Sequence, residues 1–149
     1  MKGLVARQSV LIRATPERVW KALTDPTMIR QYLFGTEAIS DWKTGSPIRY
    51  RGTYEGRSYE DKGVVVRAER GNVLETTYWS SMSGLPDVPG NYKVVRYELK
   101  PEKGGGTLLT VTQDNNLTEA ERDHSEQNWK VVLGMLKGLL ETGDAPGSG

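Results

Sequence analysis

The sequence has no cysteine in its 149 residues. That excludes disulfides, thiolate metal sites and a cysteine nucleophile, and it fits a reducing compartment. Histidine occurs once, as His124, so a multi-histidine metal site is excluded as well. Net charge is almost missing: 20 basic and 19 acidic side chains leave a formal +1, without the basic footprint of nucleic-acid binders. No apolar run approaches bilayer-spanning length. The opening MKGLVARQSV puts an arginine where a secretory leader needs its apolar centre. The expectation is a cytoplasmic protein with no nucleic-acid partner, no membrane insertion, no metal and no cofactor. Phosphate-cradling glycine loops and dinucleotide fingerprints are also missing, and Ser80, Ser81 and Ser83 lack the GxSxG setting of a hydrolase nucleophile.

What the chain does have is an amphipathic C-terminal run at 117–142. Trp129, Val132, Leu133, Leu136, Leu139 and Leu140 recur at three- and four-residue steps and share one helical stripe. Thr118 with Glu121 reads as a capping box, and Gly143 stands where such a helix stops. A helix of this extent reaches roughly 35 Å and needs a broad partner for its stripe. The length suits a single domain, 1–142, followed by a small-residue tail at 143–149 expected to be disordered.

The rest of the chain is rich in strand patterns. Val5, Val10 and Ile12 suit a first strand, after which Thr15-Pro16 and Asp25-Pro26 each start a short helix. Gly35 ends the second. Ile48, Tyr50 and Tyr54 alternate with polar residues. Further strands are expected at 59–67, 73–79, 92–99 and 108–113, joined by short turns that favour antiparallel pairing. Residues 80–91, SSMSGLPDVPGN, form a long loop whose Met82, Leu85 and Val88 suit a lid over a cavity, a partner surface, or equally a plain hairpin connection folding these side chains onto the body. Strands with one polar face need cover on the other, and the terminal helix supplies it.

One segment also carries a resemblance. IRATPERVWKALTDPTMIRQYL, with Ala14-Thr15-Pro16, Val19-Trp20, Leu23-Thr24 and Asp25-Pro26 as its most specific part, resembles the opening of the START/Bet v 1 (SRPBCC) superfamily. More narrowly, it resembles the branch named after the activator of the ninety-kilodalton heat-shock-protein ATPase. Gly63-Val64-Val65, the last strand and the run from Trp129 to Leu140 fall in matching order, so the resemblance spans about Val5 to Glu141. It implies an α+β helix-grip fold: a curved antiparallel sheet wrapped around a long C-terminal helix, with two short helices after the first strand. That fold serves lipid carriers, hormone receptors, cyclases and co-chaperones, so it does not choose among functions. Two departures stand out. Tyr32 occupies a place where many relatives have tryptophan, and Gln113 one where many have histidine. The second removes a titratable group from an expected cavity position.

With the sheet around the helix, the inward positions are Ile48, Tyr50 and Tyr54, then Leu74, Thr76 and Tyr78, then Val95, Tyr97 and Leu99, then Leu109, Val111 and Gln113. The expected ligand-binding set is Tyr50, Tyr54, Leu74, Thr76, Tyr78, Val95, Tyr97, Val111 and Gln113 from the sheet, with Trp129, Leu133 and Leu136 from the helix. Tyrosines give such a wall apolar area and a hydroxyl handle together. Glu60 and Asp61 are neighbours on a strand, so they face opposite ways and cannot form a carboxylate pair. His124 sits among charged residues and reads as part of a solvated face.

The leading expectation is non-catalytic binding of a small hydrophobic or amphipathic molecule, lipid-like or polyketide-like, by a monomer or homodimer. A cyclase/aromatase-like enzyme using Tyr54, Tyr78 or Tyr97 as proton donor is the first alternative. A co-chaperone-like interaction module acting through an outer surface is the second. The eukaryotic activators carry an extra N-terminal domain that this sequence does not show.

Overall fold

Thr15 and Asp25 set the course of the first third of the chain. In a computed structural model that describes residues 1–141, strand β1 (Leu4–Ile12) is followed by helix α1 (Pro16–Thr24) and helix α2 (Pro26–Tyr32), with Asp25 alone between the helices. The Thr15 hydroxyl accepts from Arg18 N at 3.2 Å and Asp25 Oδ1 from Thr27 N at 2.8 Å. Each helix thus begins on a side-chain cap with proline in its first turn. The helix stop expected at Gly143 and the tail at 143–149 lie outside the described residues.

Strands β2 (Glu37–Ile39), β3 (Pro47–Tyr54), β4 (Arg57–Glu69), β5 (Val73–Tyr78), β6 (Lys93–Pro101) and β7 (Thr107–Asn116) follow, and helix α3 (Glu119–Glu141) closes the order. All the strands join one sheet in the order β1-β7-β6-β5-β4-β3-β2, every neighbour antiparallel. This is the helix-grip α+β fold expected from the sequence. Strand β2 escapes the sequence pattern because three residues are too few to show a period. Strand β7 outruns its expected end because its polar side chains bond backbone. Asp114 accepts from Lys2 N and Val94 N, and Asn116 Nδ2 donates to Leu4 O.

Two register shifts, in β1 against β7 and in β4 against β5, bend the sheet. Helix α3 lies along β1 and β7 and beside α2, and it stands off β3 to β6. Its side chains also cover the open edge of β1. Glu126 Oε2 accepts from Arg7 N at 3.0 Å, Glu141 Oε2 accepts from Arg13 N at 2.7 Å, and Lys137 Nζ donates to Leu11 O at 2.9 Å. An edge strand left bare would invite pairing with another chain; here the helix occupies it.

The core fills one end of this frame. Ile12, Ile48, Val65, Leu99, Leu109, Val111, Leu133, Leu136 and Leu140 are buried there, at the start of β3 and β7, the far end of β6 and the second half of α3. The opposite end holds the cavity. No described helix is long and apolar enough to cross a membrane.

Candidate functional site

A cavity of about 750 Å³ lies between the first half of α3, helix α2 and the inner face of β3 to β7. Antiparallel order brings one end of each strand to it: Tyr50, Thr53 and Tyr54 late in β3, Tyr59 and Asp61 early in β4, Thr76 and Tyr78 late in β5, Val95 and Tyr97 early in β6, and Gln113 late in β7. Every aromatic residue of the chain except Trp20, Trp79 and Tyr92 lines this space. Phe34, Tyr54, Met82, His124 and Asn128 line it while exposed to solvent, so they mark its mouth.

Two polar groups anchor opposite walls. On one, Tyr78 donates its hydroxyl to Asp61 Oδ2 at 2.6 Å, while Ser81 donates its backbone N–H at 2.8 Å and its hydroxyl at 3.1 Å to Asp61 Oδ1. On the other, Trp129 Nε1 donates to Gln113 Oε1 at 2.9 Å, and Gln113 Nε2 donates to Ser125 Oγ at 3.3 Å. The Tyr97 ring meets Trp129 edge-on at 5.8 Å, and Tyr50 meets Tyr78 edge-on at 5.7 Å. The Tyr50 and Tyr97 hydroxyls have no hydrogen-bond partner among the described residues, and neither has the buried Trp42 Nε1.

Burial, followed by the negative charge of Asp61, pushes the Tyr50 hydroxyl well above the ordinary phenol value. Tyr78 is pushed up by burial and by donating to Asp61, and Tyr97 by burial with Tyr50 beside it. All three phenols therefore hold their protons at neutral pH and act as hydrogen-bonding groups. Among the described residues no group of three or more His, Cys, Asp or Glu side chains is placed to hold a metal ion.

Of the residues expected from the sequence, Tyr50, Tyr54, Leu74, Thr76, Tyr78, Val95, Tyr97, Gln113 and Trp129 line the cavity. Val111, Leu133 and Leu136 do not. They are buried in the packed end of the frame, because they share the inward face but lie farther from the mouth. Val132 takes the helical wall position instead. Trp79, next after Tyr78, stays off the cavity wall and donates Nε1 to Leu85 O at 3.2 Å.

Several wall residues carry no strand signal. Tyr32, Leu33 and Phe34 come from α2 and its exit, and Trp42 from a loop where its φ is +56°. Asp61 is the polar wall residue that inspection for carboxylate pairs passes over. Its burial follows from the same alternation that sends Glu60 outward to Arg49 and Arg51. In the long loop, Ser80, Met82 and Ser83 line the cavity, whereas Leu85 and Val88 are exposed away from it. The loop is tied down by Asp61 and by Asp87, which takes Lys62 Nζ at 2.5 Å and the Tyr92 hydroxyl at 2.6 Å.

The fold has counterparts among solved structures. ChR145 from Cytophaga hutchinsonii, known from a solution structure, is 42% identical over 97% of this chain and 99% of its own, with a TM-score of 0.84. DynU16, a protein of the dynemicin biosynthetic locus, is 23% identical with a TM-score of 0.76, over 93% of this chain and 48% of its own. The Aha1 dimer from Colwellia psychrerythraea is 18% identical with a TM-score of 0.73, over 94% and 98%. The last two likenesses show the fold alone. A comparison with curated proteins finds no match. The sequence model of the family described as activator of Hsp90 ATPase homolog 1-like protein matches residues 13–141, and on that match the chain belongs to this family.

Proposed function

We propose that the domain binds one small hydrophobic or amphipathic molecule in this cavity and leaves it chemically unchanged. The observation that carries the reading is a space of about 750 Å³, open at one end and walled by aromatic rings, with the Tyr50 and Tyr97 hydroxyls unpartnered inside it. That volume falls within the several-hundred-Å³ range of small-molecule sites, with few polar groups to fix orientation. Burial of the guest's apolar surface supplies the affinity, at about 25 cal/mol per Å². The free hydroxyls, Thr76 and the Gln113 amide set its orientation.

A cyclase-like role for the tyrosines draws less support. Raised phenol values make poor proton donors at neutral pH, and the Tyr78 proton is already engaged by Asp61.

Native mass spectrometry of the protein purified from its own host tests the reading. The expected result is a non-covalent adduct of a few hundred daltons that disappears on denaturation. Separately, 1-decanol titrated into labelled protein is expected to shift the amide resonances of Thr76, Val95 and Tyr97. A bare mass together with unmoved resonances overturns the proposal.

A further inference from the structure

The cavity wall is uneven in charge. Among the described residues, Asp61 is its sole acidic residue, no lysine or arginine lines it, and its one histidine, His124, is exposed at the mouth. Asp61 is 6% exposed. Buried carboxylates are ordinarily matched by a cation, because desolvation of an unmatched charge is costly. Here no basic side chain lies within ion-pair distance of Asp61 among the described residues. Lys62, next in sequence, leaves by the opposite face and pairs with Asp87 at 2.5 Å.

The partners Asp61 does have are uncharged donors: the Ser81 N–H, the Ser81 hydroxyl and the Tyr78 hydroxyl. A carboxylate offers about four lone-pair sites. Two sites on Oδ1 are taken and one on Oδ2, so Oδ2 keeps accepting capacity at the cavity wall. Around it stand aromatic rings. Tyr50 is the direct cross-strand neighbour of Asp61 on β3, and it packs edge-on against Tyr78. A carboxylate with accepting capacity, set among tyrosine rings, suits an organic ammonium group, which pairs with the charge and packs on aromatic surface. An anionic head in the same place meets the Asp61 charge and finds no basic side chain to hold it.

We infer that the ligand is a cation: an ammonium head, seated by Asp61 and the tyrosine rings, on an apolar body that fills the remaining cavity. The inference rests on the binding reading above and names its ligand class. It separates this cavity from one built for fatty acids, which the shape alone does not do.

Three probes with one alkyl chain test it: decyltrimethylammonium, 1-decanol and decanoate, titrated calorimetrically below their micelle concentrations, at neutral pH and low salt. The cation is expected to bind about tenfold or more tighter than decanoate, with the alcohol between them. In Asp61→Asn that preference shrinks towards unity while decanol affinity holds. Ser81→Ala, which removes one anchor of the loop but keeps the charge, retains the preference. This separates a charge effect from a loosened loop. Decanoate binding as tightly as the cation overturns the inference, as does a folded Asp61→Asn variant with its preference intact. Should Asp61→Asn fail to fold, the ranking of probes on the unaltered protein decides alone. Binding of decanol and decanoate without the cation removes the charge assignment and leaves the cavity reading standing. Binding of none of the three removes both.

Discussion

Asp61, Gly63 and Val65 follow one another on the inward face of β4, and each has a different task. Asp61 meets the cavity and Val65 is in the core. Between them a Cβ on Gly63 would lie 1.8 Å from the carbonyl oxygen of Thr77. The obstacle is backbone, so no side-chain rotation relieves it. Gly63→Ala is expected to destabilise the fold by about 3 kcal/mol, the upper part of the overpacking range. A urea midpoint equal to that of the unaltered protein would show that β4 and β5 separate freely at this point. At the neighbouring position, Tyr78→Phe removes a donor from a buried carboxylate. The expected loss is about 1.5–3 kcal/mol, the worth of a hydrogen bond to a charged group, and denaturant titration measures it. A loss below half a kilocalorie would mean that the Ser81 donors suffice. Gly63 stood out in the sequence as part of Gly63-Val64-Val65, but its steric reason did not. Strand period shows which face a residue takes and is silent on how closely the next strand's carbonyl approaches it.

Helix α3 is held at both ends by carboxylates. At its start Thr118 Oγ1 accepts from Glu121 N at 3.1 Å, and Glu121 Oε1 accepts from Leu117 N at 3.1 Å and from Lys93 Nζ at 2.9 Å. The capping pair foreseen from Thr118 and Glu121 therefore reaches one residue further back and across to β6. At the other end Glu141 takes Lys137 Nζ and Arg13 N, both at 2.7 Å. Burial raises the Glu121 carboxyl, but Lys93 and the Leu117 N–H outweigh it and hold it below the ordinary value. Lys137, then Arg13, hold Glu141 below it too. Lowered folded values mean that both contributions are whole above the ordinary carboxylate range, near pH 4.5, and drain away as pH falls through the folded values. The urea midpoint is expected to stay level from neutrality to about pH 5 and to decline below about pH 4.5. A Glu121→Gln, Glu141→Gln double variant shows a shallower decline, and an unchanged slope would place the acid sensitivity elsewhere. The helix stripe itself was legible from spacing. Its division was not: Trp129 and Val132 reach the cavity while Leu133 and Leu136 pack solidly, because periodicity reports the face of a helix and is silent on depth along its axis. For the same reason Val111 and Gln113, two steps apart on one strand face, meet different surroundings. Tyr32, Phe34 and Trp42 escaped for another reason, since they arrive from a helix exit and a left-handed loop position rather than from any alternating strand.

At the scale of the molecule, stability and binding occupy opposite ends of the same frame, and that separation is testable. Leu136 is fully buried where α3 meets the core. Truncating it leaves a void among side chains that have little room to close, so Leu136→Ala is expected to cost about 2–5 kcal/mol. The cavity wall, a turn or more away, keeps its shape, and affinity for a decyl probe is expected to hold within about twofold, the scatter of distant sites. Thr76 stands at the other end, between Val65 and Val95 in the sheet register, on the wall of a space already empty of protein atoms. Thr76→Phe adds a ring into that space without displacing a neighbour from the core. Its hydroxyl has no hydrogen-bond partner among the described residues, so removing it breaks no bond. The expected outcome is a urea midpoint equal to or above that of the unaltered protein, with probe binding lost by calorimetry. The two variants thus move the two measurements in opposite combinations. If Thr76→Phe unfolds the chain, or Leu136→Ala abolishes binding while still folded, the packed end and the open end form one unit. The sheet would then have to be regarded as shaping its cavity through the core rather than beside it.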